Sequence, residues 1–498
     1  NSGYIATGDA ILMEGQDPED IMPEKEDNQE LVLAYYPDRK LNPLFGSDYT
    51  NRILMSLMYQ PLFAVDNKKN VTPILAGKYQ VSANSRNVTV WLDENATFSD
   101  GSYVTPNDVI ATYQQAKVND YYCNRFTHLL DVVLAEDGKG VVFQLDTAYS
   151  NFMMLMDVPI VKVHEVEAAI PLGTGPYVFA ESSSGATLQR NPNWWCGKLK
   201  IAATDTTINL VEVSSAADVR DEFQFGEVSV VCANPMSDSF AEYRCDYELW
   251  EIESGYMMYI GCNILYSEHF DDGTLRTFLT YGIDRERLVR ENIGDYGMPS
   301  TLAVSPASPY YKASLAERYA YDPTKFIEFL GRYGKTEEPI RLMVNSDDSV
   351  RLRIARDIVE AFNEYGLPMK LLEYDSATFH RELYNANYDL YLGQTKLSPN
   401  MDLSEFFRED GNLSWGGMAN ATCLDMCEEA LENSGNYYNL HKKLGEDGRI
   451  IPVMFGYYAV YAQRGLMPDL NPSRDNVFYY SLGKTMEATR MEALPVVE

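Results

Sequence analysis

Apolar and polar positions divide the chain into short strands and helices in mixed order. Residues 31–36 form an apolar run of strand length that Pro37 ends, and Asn42 with Pro43 marks the turn after it. Residues 89–93 alternate as a strand. Thr105, Pro106 and Asp108 then supply an N-cap, a proline at the first helical position and an acid three residues beyond the cap, so a helix is expected over 106–117. The most regular stretch is 340–393. Residues 340–344 read as a strand; Leu352, Ala355, Ile358, Val359 and Phe362 recur at helical spacing until Gly366 and Pro368 stop the helix. A second strand over 369–374, a second helix over 377–385 and a third strand over 388–393 complete a βαβαβ unit. Such a unit predicts parallel strands joined by right-handed crossovers, with ligand-facing loops at the strand C-terminal ends. Residues 393–401 would be one of those loops. The pattern is that of an α/β protein.

Length and charge narrow the function. A chain of 498 residues predicts two or three domains. Its 36 tyrosines suit clefts that hold amphipathic ligands, and they equally suit half-buried packing. With 41 Lys and Arg against 73 Asp and Glu, the formal charge of -32 repels a phosphate backbone, which argues against a nucleic-acid partner. The apolar run 152–163 is interrupted by Asp157 and Lys162 and falls short of the ~20 residues a membrane span needs. Residues 14–30 carry eight acids and one base, Lys25, and read as a solvated tether within an N-terminal segment 1–29. A chain that opens on Asn1 fits removal of a targeting segment and a cloning boundary equally well.

The chemistry-bearing residues form no enzyme signature. No nucleophile elbow, Walker loop, dinucleotide fingerprint or HExxH helix is present, and His164 with Glu165 lacks the second histidine. The five histidines are scattered, so no metal site and no cofactor are expected. The acid pairs Asp271, Asp272 and Asp347, Asp348 read as solvated or capping groups. Cys423 and Cys427 are spaced for one helix face and read as small buried apolar residues, while Cys232 with Cys245 is a disulfide option that sequence leaves open.

Several stretches, in order, resemble the family 5 extracellular solute-binding proteins of bacterial ABC importers, which include dipeptide, oligopeptide and nickel binders. They are LNPL at 41–44, YQPLF at 59–63 followed by PILA at 73–76, and FSDG at 98–101 with TPNDV at 105–109. GTGPY at 173–177, RNPNW at 190–194, FGEV at 225–228, TLR at 274–276 leading into IDR at 283–285, and IPV at 451–453 continue the series. The glycines and the Asp-Gly turn also have plain structural uses, so these landmarks identify a fold better than a ligand.

The resemblance implies a two-lobed periplasmic-binding-protein-like fold (type II, class C) with an extra domain inserted in the first lobe. The expected division is 30–62, 172–260 and 457–498 for the first lobe, 63–171 for its inserted outer domain and 261–456 for the second lobe. Hinge strands are expected at 256–263 and 453–461. The implied function is capture of a peptide or peptide-like solute by hinge closure and delivery to a membrane permease. The protein would act as a monomer on the extracytoplasmic side, periplasmic or lipid-anchored through a removed N-terminal segment. Alternatives are a binder of oligosaccharide or another non-peptide solute, a secreted hydrolase, and a sensory or chaperone-like module. Family geometry implies ligand contacts from Tyr35 and Tyr36 at the end of the first strand and from Gln394, Thr395 and Lys396 after the third strand of the βαβαβ unit. Gly173, Thr174, Asn263, Trp415 and Tyr457 are further candidates. Peptide binders of the family carry an aspartate in a WxxDY stretch for the ligand's α-amine, whereas residues 394–400 here read QTKLSPN. Lys396 is then either a solvated surface residue or a cleft cation suited to a carboxylate. The departure predicts weaker dependence on a free N-terminus than in typical dipeptide binders, and an anionic, blocked or non-peptide ligand such as an oligosaccharide stacked on Tyr36 or Trp415.

Overall fold

The computed structural model describes residues 30–46, 48–196, 207–270, 273–294, 296–334, 338–466 and 470–478. The expected tether at 1–29, the Asp271, Asp272 pair and the last part of the first lobe, 479–498, lie outside the described residues.

The βαβαβ unit forms as its periodicity predicts. Strand Ile340–Asn345 lies between Met369–Tyr374 and Leu390–Lys396, parallel to both. Helix Ser349–Tyr365 starts where the Asp348 carboxylate accepts the Arg351 N–H at 2.9 Å and ends at Gly366. It buries Val350, Ile354, Ala355, Ile358 and Phe362; Leu352 and Val359 are only partly covered. The third strand runs three residues beyond its expected end. Its free edge pairs antiparallel with strand Tyr247–Cys262, from Leu390 opposite Cys262 to Lys396 opposite Tyr256. That ladder supplies hydrogen-bond partners for Gln394, Thr395 and Lys396, which are therefore strand residues and not loop residues.

A separate four-stranded antiparallel sheet orders Ala76–Val81, Asn87–Leu92, Gly140–Leu145 and Leu129–Leu134. Alternate residues Val88 and Val90, and Val141, Phe143 and Leu145, face its core. Helix Pro106–Val118 packs beside it, and its start is fixed by Asp108, whose carboxylate accepts both the Thr105 N–H and hydroxyl at 2.7 Å.

Strands Tyr247–Cys262 and Ile450–Gln463 pair antiparallel through nearly their whole lengths and link the parallel strands to a second group. That group continues the sheet through Val230–Ala233, Val32–Tyr35, Thr207–Glu212, Gly185–Arg190 and Tyr177–Ser182. The register between the two long strands breaks between Glu253 and Met257, where Gly255 has φ 80° and the Ser254 hydroxyl donates to the Gly456 carbonyl at 2.7 Å. A bulge of this kind bends a strand, so the long pair changes direction there. Beyond the break, Met257 and Tyr259 feed one apolar cluster while Met258, Ile260 and Cys262 feed another on the opposite face.

All seven cysteines are free thiols, so the Cys232–Cys245 disulfide option is not taken up. Cys423 and Cys427 lie buried on one face of helix Ala421–Glu432. Among the described residues no helix is long and apolar enough to cross a membrane.

Candidate functional site

Chain segments from both sides of the strand break meet around two cavities. The larger, about 650 Å³, is bordered by Val65, Lys69, Asp157, Trp250, Tyr457 and Arg474, among others. The second, about 340 Å³, is bordered by Tyr121, Arg125, Tyr256, Gln394, Thr395 and Lys396. Both volumes are of the size that small-molecule sites occupy, ~300–1,000 Å³.

Between the cavities lies a network of buried charge. Lys396 projects from the strand end opposite Tyr256, and its Nζ is 2.8 Å from the Tyr121 hydroxyl and 3.3 Å from Asp475 Oδ1. The ammonium also sits over the Tyr121 ring at 4.1 Å, with the Tyr458 and Tyr256 rings at 5.6 and 6.0 Å. Asp475 accepts the Tyr121 hydroxyl at 2.7 Å and an Arg125 N–H at 2.9 Å, and Arg125 pairs with Asp157 through its other Nη. Arg52 lays its guanidinium over the Tyr121 ring at 3.6 Å. Arg474 donates from Nε to the Ser254 carbonyl at 3.0 Å and from Nη2 to the Leu397 carbonyl. Arg52 Nε and Arg474 Nη1 are buried without a hydrogen-bond partner among the described residues.

The electrostatics follow from that crowding. Burial pulls the Lys396 ammonium down; Asp475 pushes it back up, but Arg474, Arg52 and Arg125 pull it further, leaving it at about 7. Burial opposes ionisation of Asp475, yet Lys396, Arg125 and Arg474 outweigh it and hold that carboxyl well below the usual carboxylate range. Asp157 shifts upward because burial exceeds what Arg125 returns.

A second charged set joins the region of the four-stranded sheet to the chain after the third parallel strand. His128 Nδ1 is 2.7 Å from Asp146, and its Nε2 is 2.8 Å from the Ser404 hydroxyl and 3.4 Å from Asp402. Arg408 pairs with Asp146 at 3.2 Å and donates to the Thr127 carbonyl at 3.2 Å. Burial disfavours the His128 cation, but hydrogen bonds donated to the Asp146 and Asp402 carboxylates outweigh it and push the imidazole up to about 10. Asp402 is therefore already engaged.

The sequence-derived candidates separate into two groups. Gln394, Thr395 and Lys396 border the second cavity and Tyr457 borders the larger one. The other six border neither cavity. Tyr35 is buried against Phe179 at 5.3 Å between ring centres, and Tyr36 is buried with its backbone N–H and carbonyl both bonded to the Asn51 side chain. Gly173 passes so close to the Met58 carbonyl that a Cβ would overlap it, and the adjoining Thr174 is fully buried. Asn263 donates to the carbonyls of Ala386 and Tyr388 at 2.9 and 2.8 Å, bracing the loop before the third parallel strand. Trp415 packs half-buried against an apolar cluster. Arg52, Tyr121, Arg125, Asp157, Arg474 and Asp475 were not singled out from sequence as site residues. Of these only Asp157 left a trace, as a charge interrupting an apolar run.

Two groups of secondary structure joined by a broken pair of long strands, with cavities between them, define a two-lobed binding-protein fold. The chain belongs to the bacterial extracellular solute-binding proteins, family 5, whose middle-region model matches residues 70–412. It is 24% identical over 308 residues to the glutathione-binding protein GsiB of Salmonella typhi, and that match spans 59% of this chain and 59% of that protein. It is 23% identical over 461 residues to the oligopeptide-binding protein AppA of Bacillus subtilis, spanning 84% of this chain and 83% of AppA. Among solved structures, the ABC transporter substrate binding protein CtaP from Listeria monocytogenes shares the fold with a TM-score of 0.72 at 19% identity. That superposition covers 92% of this chain and 99% of CtaP.

Proposed function

We propose that this protein is the extracytoplasmic capture component of an ABC importer, binding a peptide or peptide-like solute between its lobes and presenting it to a membrane permease. The supporting observation is the strand pair Tyr247–Cys262 and Ile450–Gln463, whose register breaks between Glu253 and Met257 and shifts again between Met258 and Tyr259, beside two cavities. Rotation about such a break opens and closes the cleft with little loss of packing elsewhere. Contacts made only in the closed form then stabilise closure, and no bond in the solute breaks. The lobe divisions at 30–62, 172–260 and 457–498, at 63–171 and at 261–456 fit this reading. In keeping with them, the four-stranded sheet falls within 76–145 and the parallel unit within 340–396. Gln394, Thr395, Lys396 and Tyr457 are the sequence-derived residues proposed to meet the solute.

The test is small-angle scattering with and without solute released by denaturation from purified protein and identified by mass spectrometry. Adding that solute back should compact the particle. At 100 times its dissociation constant it should also stabilise the fold by ~2.7 kcal/mol. An unchanged profile at saturation would remove hinge closure from the proposal.

A further inference from the structure

Charge does not choose the occupant of the larger cavity. Asp66, Glu251 and Glu253 border it together with Lys68 and Lys69, so both signs are offered. Its extent is the more selective property, because the two cavities share no bordering residue. Three residues that border the larger one are instead bonded directly to residues that border the smaller. Asp157 pairs with Arg125; Asp475 engages Arg125, Lys396 and the Tyr121 hydroxyl; and Arg474 donates to the Leu397 carbonyl. The boundary is a wall one pair of side chains thick.

That wall is held in place from several directions. Asn67 Nδ2 donates to the Pro472 carbonyl at 2.6 Å, and Arg474 Nε donates to the Ser254 carbonyl at 3.0 Å. The Arg474 guanidinium lies against Gly255, where a Cβ would overlap it. The Asp475 side chain is only 7% exposed and has its three donors within 3.3 Å. A solute chain running from one cavity into the other would have to separate these buried pairs, at a cost of about a hundredfold in affinity or more.

We infer that Arg474 and Asp475 form a partition that limits the length of the solute: a peptide-like chain lodges on one side of the wall and cannot run through the closed cleft. The inference rests on the reading of this cleft as the solute site, and it adds the residues that set solute size. The larger side, about 650 Å³, holds a ligand of ordinary small-molecule size. Selection falls at the closing step. Lys396 and Leu397 lie within 261–456, whereas Tyr121, Arg125 and Asp157 lie within 63–171, so the proposed lobes complete the wall only when they come together. An open cleft admits a longer chain, and that chain then prevents closure.

Native mass spectrometry of the full protein, freed of co-purified solute, tests this with mixed-sequence peptide pools of a single length each, from dipeptides to octapeptides, free and N-acetylated. Wild-type affinity should fall about a hundredfold beyond some length. In Arg474→Ala and in Asp475→Ser that fall should move to peptides longer by about one residue or more. A purely structural role for the two residues would weaken every length alike and leave the fall where it is. Small-angle scattering of the wild type gives a second readout that needs no variant: pools below the fall should compact the particle, and longer ones should leave it open. An unmoved fall in both variants, wild-type affinity that holds through the octapeptides, or compaction by every length would overturn the partition and leave the binding-protein reading standing. Failure of every pool to bind would overturn both.

Discussion

Two buried charge networks tie distant parts of this chain together, and they differ in balance. The His128 set has two cations, His128 and Arg408, facing two covered carboxylates, Asp146 and Asp402, with the exposed Asp410 also 3.7 Å from Arg408 and the Ser404 hydroxyl and the Thr127 carbonyl completing its hydrogen bonds. The Lys396 set has four cations for at most two negative charges and leaves donor atoms unused. Desolvated ions are tolerated when they are matched and hydrogen-bonded. By that standard the first set is finished as it stands and acts as a latch between elements. The second is unfinished: Arg52 Nε and Arg474 Nη1 are buried without a hydrogen-bond partner among the described residues. Charge balance thus distinguishes the two clusters where burial alone does not.

The strongest way to break this comparison is to remove the residue that holds the unbalanced set together. Arg125 is buried and is the ion partner of Asp157 as well as of Asp475. Arg125→Met should lower unfolding stability by about 3–5 kcal/mol, the range for removing one partner of a buried pair. Denaturant unfolding measures it, and a loss under about 1 kcal/mol would show that water reaches the network freely. Next in size is His128→Gln. It keeps a hydrogen bond to Ser404 or Asp146 but leaves two carboxylates short of a cation, for an expected loss of about 2 kcal/mol. The same variant should populate a more open form by scattering if the latch spans the lobes; an unaltered profile would confine it to local packing.

Smaller still is Gly255→Ala at the register break. The backbone there has φ 80°, and a Cβ would overlap the Arg474 guanidinium that reaches across to the Leu397 carbonyl. About 1–2 kcal/mol should be lost in thermal or denaturant unfolding, together with affinity for whatever solute co-purifies. Full retention of both would mean that Arg474 is not held in place by this approach.

These sites differ in how far sequence could have found them. The parallel unit was legible because its apolar spacing and its stop signals at Gly366 and Pro368 are local, and the helix at Pro106 was legible through its proline and capping acid. Local pattern misplaced the end of the third parallel strand, since the ladder that extends it to Lys396 comes from a strand more than a hundred residues away. Lys396 itself stood out as a departure from the family's acidic stretch, but its environment did not. Tyr121, Arg125 and Asp157 come from one end of the chain and Arg474 and Asp475 from the other, with no spacing rule to link them. Tyr35, Tyr36 and Asn263 carry polar groups that suit a ligand, yet they pack or brace the backbone. Burial of that kind depends on tertiary contacts that residue type does not encode.

The smallest net effect, in the native protein, sharpens the comparison most, because the two networks should tilt the pH profile of stability in opposite directions and largely cancel. The folded-state value of His128 is raised from 6.5 to about 10, so its contribution is present below about 6.5 and is lost as pH climbs through 10. The folded-state value of Lys396 is lowered from 10.5 to about 7, so between those limits the unfolded chain binds the extra proton and stability rises with pH. Over pH 7 to 10 the slopes oppose, and the native protein should show a flatter profile than either network alone would give. His128→Gln removes the falling contribution and should expose a rise; Lys396→Met removes the rising one and should expose a fall. Asp146 and Asp402, both held below the ordinary carboxylate value despite burial, add stability that disappears only as pH drops below about 4, outside this window. Denaturant midpoints at half-unit pH steps, taken without solute, measure all three profiles. Parallel slopes in the two variants would mean that the charge states assigned to the networks are wrong, and the contrast between a balanced latch and an unbalanced cleft would lose its electrostatic basis.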